Sequence, residues 1–262
     1  MKTRMLVPAL LAMTVVISAA VAAWTVPVSA AGLPSLEERI AAADLHWSRR
    51  SQAGVTELLL QNLEDADRDY PNQGEVLWRL ARAYWWKSTR IPKDDKKTRL
   101  EWLDMAKATG ERASKAAPAN PDAHYWYAAA MAETGSARGI LQSLFMVKPT
   151  REALERGLAA DPNHGSCHYL MAELYLQLPG PPLSIGNKQK AVEEARLSVK
   201  YGPDSSSHWL VLGRALIATK QYSEARQVLN TLLAMAPDLG DPDGTRADQD
   251  EARTELQSIA NK

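Results

Sequence analysis

The chain has 262 residues, with 31 Lys plus Arg balanced by 31 Asp plus Glu. That length holds one or two domains, and the charge balance leaves no basic footprint for nucleic acid. A single cysteine, Cys167, excludes an intramolecular disulfide, so packing alone must hold the fold.

The N-terminus opens with MKTR, continues through the apolar LVPALLAMTVVISAAVAA, and reaches PVSAAG, where Val28 and Ala30 are placed for cleavage after Ala30. A positive start, an apolar stretch and small residues before a cut mark a secretory signal peptide. Residues 1–30 are therefore expected to be removed, leaving a slightly acidic domain over 31–262 that is periplasmic or secreted. The other reading is an uncleaved anchor, which the small residues after the apolar run disfavour. No cysteine stands at the cut, which argues against a lipid-modified bacterial N-terminus.

From residue 35 the chain reads as helix pairs. Residues 35–70 form a degenerate first pair ending near Pro71. EVLWRLARAYWW then offers Leu77, Leu80, Ala81 and Tyr84, with RLEWLDMAKATGERASKAA as its partner. NPDAHYWYAAAMAE carries Trp126 and Ala130, and PTREALERGLAADP supplies its partner helix, with Pro149 suited to a first helical turn. HYLMAELY places Ala172 and Tyr175, Ala191 and Ala195 mark the following helix, and Pro203 ends it. The clearest unit is residues 205–237, SSSHWLVLGRALIATKQYSEARQVLNTLLAMAP. TRADQDEARTELQSIANK reads as a terminal helix covering the exposed end of a stack.

The 205–237 unit resembles the tetratricopeptide repeat: Trp209, then Leu212–Gly213, Ala225 in the second helix, and a closing Pro237. Small residues at Gly213 and Ala225 let two antiparallel helices cross closely, while Trp209 and Leu212 fill the seam one turn away. The expected fold is all-α: a tetratricopeptide-like solenoid of about four helix pairs with extended intra-repeat loops and a C-terminal capping helix. Three units exceed the usual 34-residue repeat. Their surplus falls between first and second helices, in WKSTRIPKDDKKTR, TGSARGILQSLFMVK and LPGPPLSIGNK, and should emerge on one edge of the stack.

YWYAAAMAETGSARGILQSLFMVKPTREALERGLAADP, followed by LYLQLPGPPLSIGNKQKAVEEA, resembles the tetratricopeptide T-component proteins of bacterial TRAP-type transporters. It is also similar to a wider set of exported repeat proteins and, more distantly, to the eukaryotic regulators of microtubule dynamics. The resemblance spans roughly residues 75–237, with Tyr125, Trp126 and the LPG-to-GNK loop its most specific parts. It implies an all-helical envelope protein that binds a small apolar ligand or docks a solute-binding subunit. The best-known members are lipid-anchored, and this chain lacks the cysteine for that.

Catalytic signatures are weak. His164, Cys167 and His168 cluster in NHGSCH, and two His four residues apart can share a metal. His164 precedes the helix, however, and no acidic third ligand follows, so a loop His, a core Cys and a seam His are expected, with no metal or other cofactor. GPPLSIG lacks the ending of a phosphate loop, and no G-x-S-x-G turn occurs. KSTRIPKDDKKTR reads as a solvated basic loop, the sharper alternative being contact with an acidic partner or a lipid headgroup. ILQSLFMV reads as a short helix tucked against the stack rather than a membrane-binding segment.

First helices of stacked repeats line the concave surface. Alignment of the units puts Trp78, Tyr127, Tyr169 and Leu210 in one inward row. Arg82, Met131, Glu173 and Arg214 form the next, and Trp85 stands in a third with Thr134, Leu176 and Ile217. Burial of these rows as core is the competing reading. Aromatic clusters of this kind favour capture of a ligand or peptide. The expected function is a non-enzymatic module that binds a partner polypeptide, an envelope protein or peptide, through its concave face. The alternative is a small apolar ligand-binding accessory of a periplasmic solute uptake system.

Overall fold

The structure, a computed structural model, describes residues 33–262; the expected signal peptide at 1–30 lies outside the described residues. No helix among the described residues is long and apolar enough to cross a membrane.

The described chain is helical without strands. Its eleven helices are α1 (Leu36–Ser48), α2 (Val55–Asp69), α3 (Gly74–Thr89), α4 (Lys96–Ala116), α5 (Pro121–Arg138), α6 (Ile140–Ala160), α7 (Gly165–Gln177), α8 (Lys188–Tyr201), α9 (Ser206–Ala218), α10 (Tyr222–Leu233) and α11 (Pro242–Ser258). They form five antiparallel pairs and a terminal helix, where the sequence predicts about four pairs. The pair easiest to overlook is α1–α2, which carries little of the repeat pattern. Its start is nonetheless explicit, since Ser35 and Glu38 close a reciprocal capping box.

Successive odd-numbered helices touch one another, α1 with α3, α3 with α5, α5 with α7 and α7 with α9. Even-numbered helices other than neighbours in sequence make no such approach among the described residues. The odd helices therefore form the inner, crowded side of a curved stack and the even helices its outer side. The two ends also meet. Arg50, just after α1, pairs with Asp238 at 2.7 Å, Ser51 donates to the Leu239 carbonyl, and Arg90 lies 3.4 Å from Asp241. The loop before α11 thus clasps the first two pairs.

A recurring tie fixes the turn between units. His124 and His168 each donate from Nε2 to a proline carbonyl six residues back, Pro118 and Pro162, at 2.9 Å. Trp209 donates from Nε1 to the Pro203 carbonyl at 2.7 Å. A carbonyl only accepts, so each ring nitrogen must carry the proton. The Pro-x5-His or Pro-x5-Trp spacing is readable in the sequence as a device that ties the turn carbonyl to the following helix.

The three surplus segments differ in kind. The first two go largely into helix length: α4 and α6 each run 21 residues, and α5 meets α6 through Gly139 alone. Pro149 accordingly sits inside α6 rather than in its first turn. ILQSLFMV is the beginning of that helix: Met146 and Val147 pack inward, while Leu141 and Phe145 on its other face are 75 % and 73 % exposed. Only the third surplus is a loop. It is held by Gly186 N–H to the Pro179 carbonyl at 2.9 Å and Asn187 N–H to the Tyr175 carbonyl at 2.8 Å. Asn187 then caps α8 by accepting from Gln189 and Lys190. A Cβ at Gly186 would stand 1.9 Å from the Leu178 carbonyl oxygen, so only glycine allows this close backbone approach.

Candidate functional site on the inner helices

The inner side carries a ladder of rings. Trp47 of α1 reaches across α3 to Trp126 of α5, with centroids 6.2 Å apart. Trp85 lies 5.4 Å from Trp126, Trp126 4.9 Å from Tyr125, and Tyr125 5.9 Å from His164. Tyr169 of α7 stacks on His208 of α9 at 5.2 Å. Trp47, Trp85, Tyr125, Trp126 and Tyr169 are all half-buried, and Tyr125 and Tyr169 also pack against the core.

The expected rows are only partly brought together. Trp78 is 7 % exposed, packs with Leu77, Ala113 and Ala123, and donates to Glu75 at 3.0 Å. Met131 is 2 % exposed in the core beside Leu154, Cys167 and Met171. Leu210 is buried as well. Tyr127 lines a separate outer groove with Lys115 and Arg156, between α4, α5 and α6. One residue along a helix is a rotation of about 100°, so Trp126 holds the inner position that the repeat alignment gives to Tyr127. Trp47 escapes that alignment because the first pair offers little repeat pattern. Trp126 is visible in the sequence through its place in the repeat.

Arg82, Trp85, Tyr169, Glu173 and Arg214 are partly accessible. The Arg82 guanidinium lies 3.9 Å from the Trp47 ring and 4.8 Å from that of Trp78. Its Nη2 is 3.6 Å from Asp44, which is outside hydrogen-bond range, and both Nε and Nη2 are buried without a partner. Burial pushes the Arg82 pKa down to about 9, against the pull of Asp44. Arg82 therefore remains charged at neutral pH, with N–H groups to spare.

The opposite end of the inner side is acidic. Burial pushes the Glu173 carboxyl up, opposed by Arg214 and by a hydrogen bond from Gln177. Arg214 is 4.0 Å from Glu173, 3.3 Å from Glu251 and 3.7 Å from Glu255. Burial also raises Asp248, which accepts from Ser206 at 2.6 Å. Arg50 and Arg82 thus mark one end, and a cluster of carboxylates around a single Arg marks the other.

NHGSCH serves the fold. His164 accepts the Cys167 N–H through Nδ1 and caps α7. Cys167 is fully buried, which pushes its thiol pKa up and away from reactivity. His168 lies 2.6 Å from Glu194 as well as bonding Pro162. Burial alone would lower its pKa, but these two acceptors outweigh it and the net shift is upward. Among the described residues no group of three His, Cys, Asp or Glu side chains could hold a metal.

The family described as "Regulator of microtubule dynamics protein 1-3" matches residues 40–178, just over half of the chain. The chain belongs to that family. A tetratricopeptide-repeat family matches residues 183–239 as well, covering the last units of this regulator-of-microtubule-dynamics member. Regulator of microtubule dynamics protein 1 of Mus musculus is 30 % identical over 139 residues, 52 % of this chain and 42 % of the mouse protein. The chain thus matches less than half the length of that relative. Among solved structures, TTC0263, a thermophilic TPR protein of Thermus thermophilus, aligns with a TM-score of 0.62 at 15 % identity. That alignment covers 84 % of this chain and all of the other, and it shows a shared fold. The tetratricopeptide solenoid is therefore established, and neither matching family is a catalytic one.

Proposed function

We propose that this family member is a non-enzymatic interaction module that binds an extended partner polypeptide along its inner helices. The observation that carries the reading is Arg82: a charged, nearly buried guanidinium whose Nε and Nη2 lack hydrogen-bond partners, beside the half-buried ring of Trp47. A carboxylate of the partner, from a side chain or a C-terminus, would satisfy it with charge-assisted hydrogen bonds. Apolar side chains of the same segment would pack on Trp85, Trp126 and Tyr169. Basic ones would run toward Glu173, Glu251 and Glu255, so the charge pattern sets the direction of the bound chain. The microtubule role in the mouse relative's name belongs to a protein more than twice the length of the matched segment. Only the repeat scaffold is taken from it.

The test is titration of acidic and basic peptides, followed by tryptophan fluorescence. Tyr169→Ala is expected to weaken binding about tenfold or more, as for a central aromatic anchor, with helicity and melting nearly unchanged. A variant that melts early, or binds as before, overturns the reading of the inner rings as a binding surface.

Export through residues 1–30 would put this module in the periplasm or outside the cell. The exported form, sequenced from its N-terminus, is then expected to begin at or near Ala31; a mature pool that keeps Met1–Arg4 rules this out. A second reading is a T-component-like, small-ligand accessory of a periplasmic solute uptake system. The cavity between α5, α6 and α7 favours it, and co-purification of a solute-binding subunit would select it.

A further inference from the structure

The cavity bounded by α5, α6 and α7 has a volume of about 230 Å³. That is roughly the share of eight water molecules in the liquid, too small for a folded partner and suited to one side chain or one small molecule. Its titratable lining residues are Glu133 and Glu173 beside the phenol of Tyr169, and no Lys, Arg or His lines it. Ser136, Ser143 and Thr150 add hydroxyls, and Met146, Val147 and Leu174 add apolar wall.

Three features mark it as a site with an occupant to come. Thr150 is 1 % exposed and its Oγ1 has no hydrogen-bond partner, although its helix neighbours supply carbonyls that a threonine commonly uses. A buried hydroxyl left unsatisfied is costly and calls for a ligand or water. Arg99 binds one oxygen of Glu133, and Gln177 one oxygen of Glu173, so neither carboxylate has both oxygens taken up by these partners. Arg214 approaches the other Glu173 oxygen only to 4.0 Å and lies closer to Glu251.

We propose that this cavity binds an organic cation, an ammonium or guanidinium group on a short aliphatic stem, held by Glu173 and Glu133 and by the Thr150 hydroxyl. The stem lies against Met146, Val147 and Leu174. The cation donates to the carboxylate oxygens, and Thr150 Oγ1 accepts one of its N–H groups. Arg99 and Arg214 reach these carboxylates from outside the lining, so the wall itself presents carboxylate oxygens and no cation, which disfavours an anion. The donor set also lacks the three convergent acidic, His or Cys ligands a metal would need. This deepens the peptide reading, because Tyr169 and Glu173 belong both to the inner face and to this cavity. The same chemistry comes either as a free amine or as a Lys or Arg side chain of the bound segment.

Calorimetric titration of the full chain with agmatine separates these outcomes, with glutarate and calcium chloride as controls. Saturable agmatine binding is expected at about 1 mM or tighter, a modest efficiency for so small a ligand, with no response to glutarate. Glu173→Gln, which keeps the shape, is expected to weaken it by about tenfold or more, and Thr150→Val by roughly twofold to tenfold. Competition between agmatine and an Arg-bearing peptide assigns the pocket to a side chain of the partner; agmatine binding without competition assigns it to a free amine. Absence of agmatine binding, equal binding by Glu173→Gln, or a response to calcium alone overturns the proposal. Peptide binding that is indifferent to agmatine and to Glu173→Gln, with agmatine itself unbound, would overturn it while leaving the peptide reading intact. Agmatine binding with no peptide binding at all would do the reverse.

Discussion

Gly213→Leu is expected to destabilise the fold by about 1–3 kcal/mol, the usual range for overpacking a filled core. Gly213 lies in the buried face of α9, and a Cβ there would stand 2.4 Å from Leu229 Cδ2 and 2.7 Å from Leu229 Cγ. Leu229 cannot swing clear. It is fully buried on α10 against Leu210, Leu232 and Ala252, so any new rotamer displaces another core side chain. The rest of the leucine side chain enlarges a clash that alanine alone would create. For a chain of this size each kcal/mol shifts the melting midpoint by about 2–4 °C, which circular dichroism resolves easily. Repeats touch mainly their neighbours, so loss of amide protection should concentrate in α9, α10 and α11. An unchanged midpoint would mean that the two helices do not cross at this residue.

Arg82→Met is expected to act in the opposite direction on stability, raising it by about 1–3 kcal/mol, while abolishing recognition of an acidic group. Taking a guanidinium out of water costs several kcal/mol unless it is well paired. Arg82 has only a distant Asp44, whose carboxylate is already engaged by Arg79 at 2.8 Å through two bonds. Removing Arg82 therefore strands no partner. Methionine keeps the apolar stem and sets a sulfur against the rings of Trp47 and Trp78, replacing part of the cation–ring attraction that is lost. The pH dependence follows from the sign of the shift. The folded pKa, about 9, lies well below the ordinary guanidinium value, so the penalty for holding the charge is fully present at every pH below 9. The gain should accordingly be level between about pH 5 and 8. A variant less stable than the parent would make the buried guanidinium a structural element rather than one kept for binding.

Much of the fold was legible because helix pairing leaves local marks. Trp209, Gly213, Ala225 and Pro237 keep a spacing that one pair of crossing helices imposes. The loop at 179–187 was readable for the same reason, as proline and glycine restrict or free the backbone irrespective of what lies nearby. The inner surface was far less legible. Trp78 and Trp85 stand on one helix two turns apart, yet one is core and the other half-exposed. Tyr127 and Trp126 are neighbours in sequence but face different grooves.

The sequence by itself determined the helical class, the antiparallel pairing, most helix starts and the small residues at the crossings, since each depends on residues within one repeat. Only the tertiary structure decided that the surplus in two units extends helices, that α1 brings Trp47 onto Trp126, and that the loop before α11 clasps Arg50 and Arg90. Those contacts join residues as far as 188 positions apart. They depend on how much each repeat turns relative to the last, a small rotation summed along the stack, and no single repeat's spacing records that sum. The unpartnered N–H groups of Arg82 and the hydroxyl of Thr150 are decided in the same way, by which neighbours fail to reach them once the stack has curved.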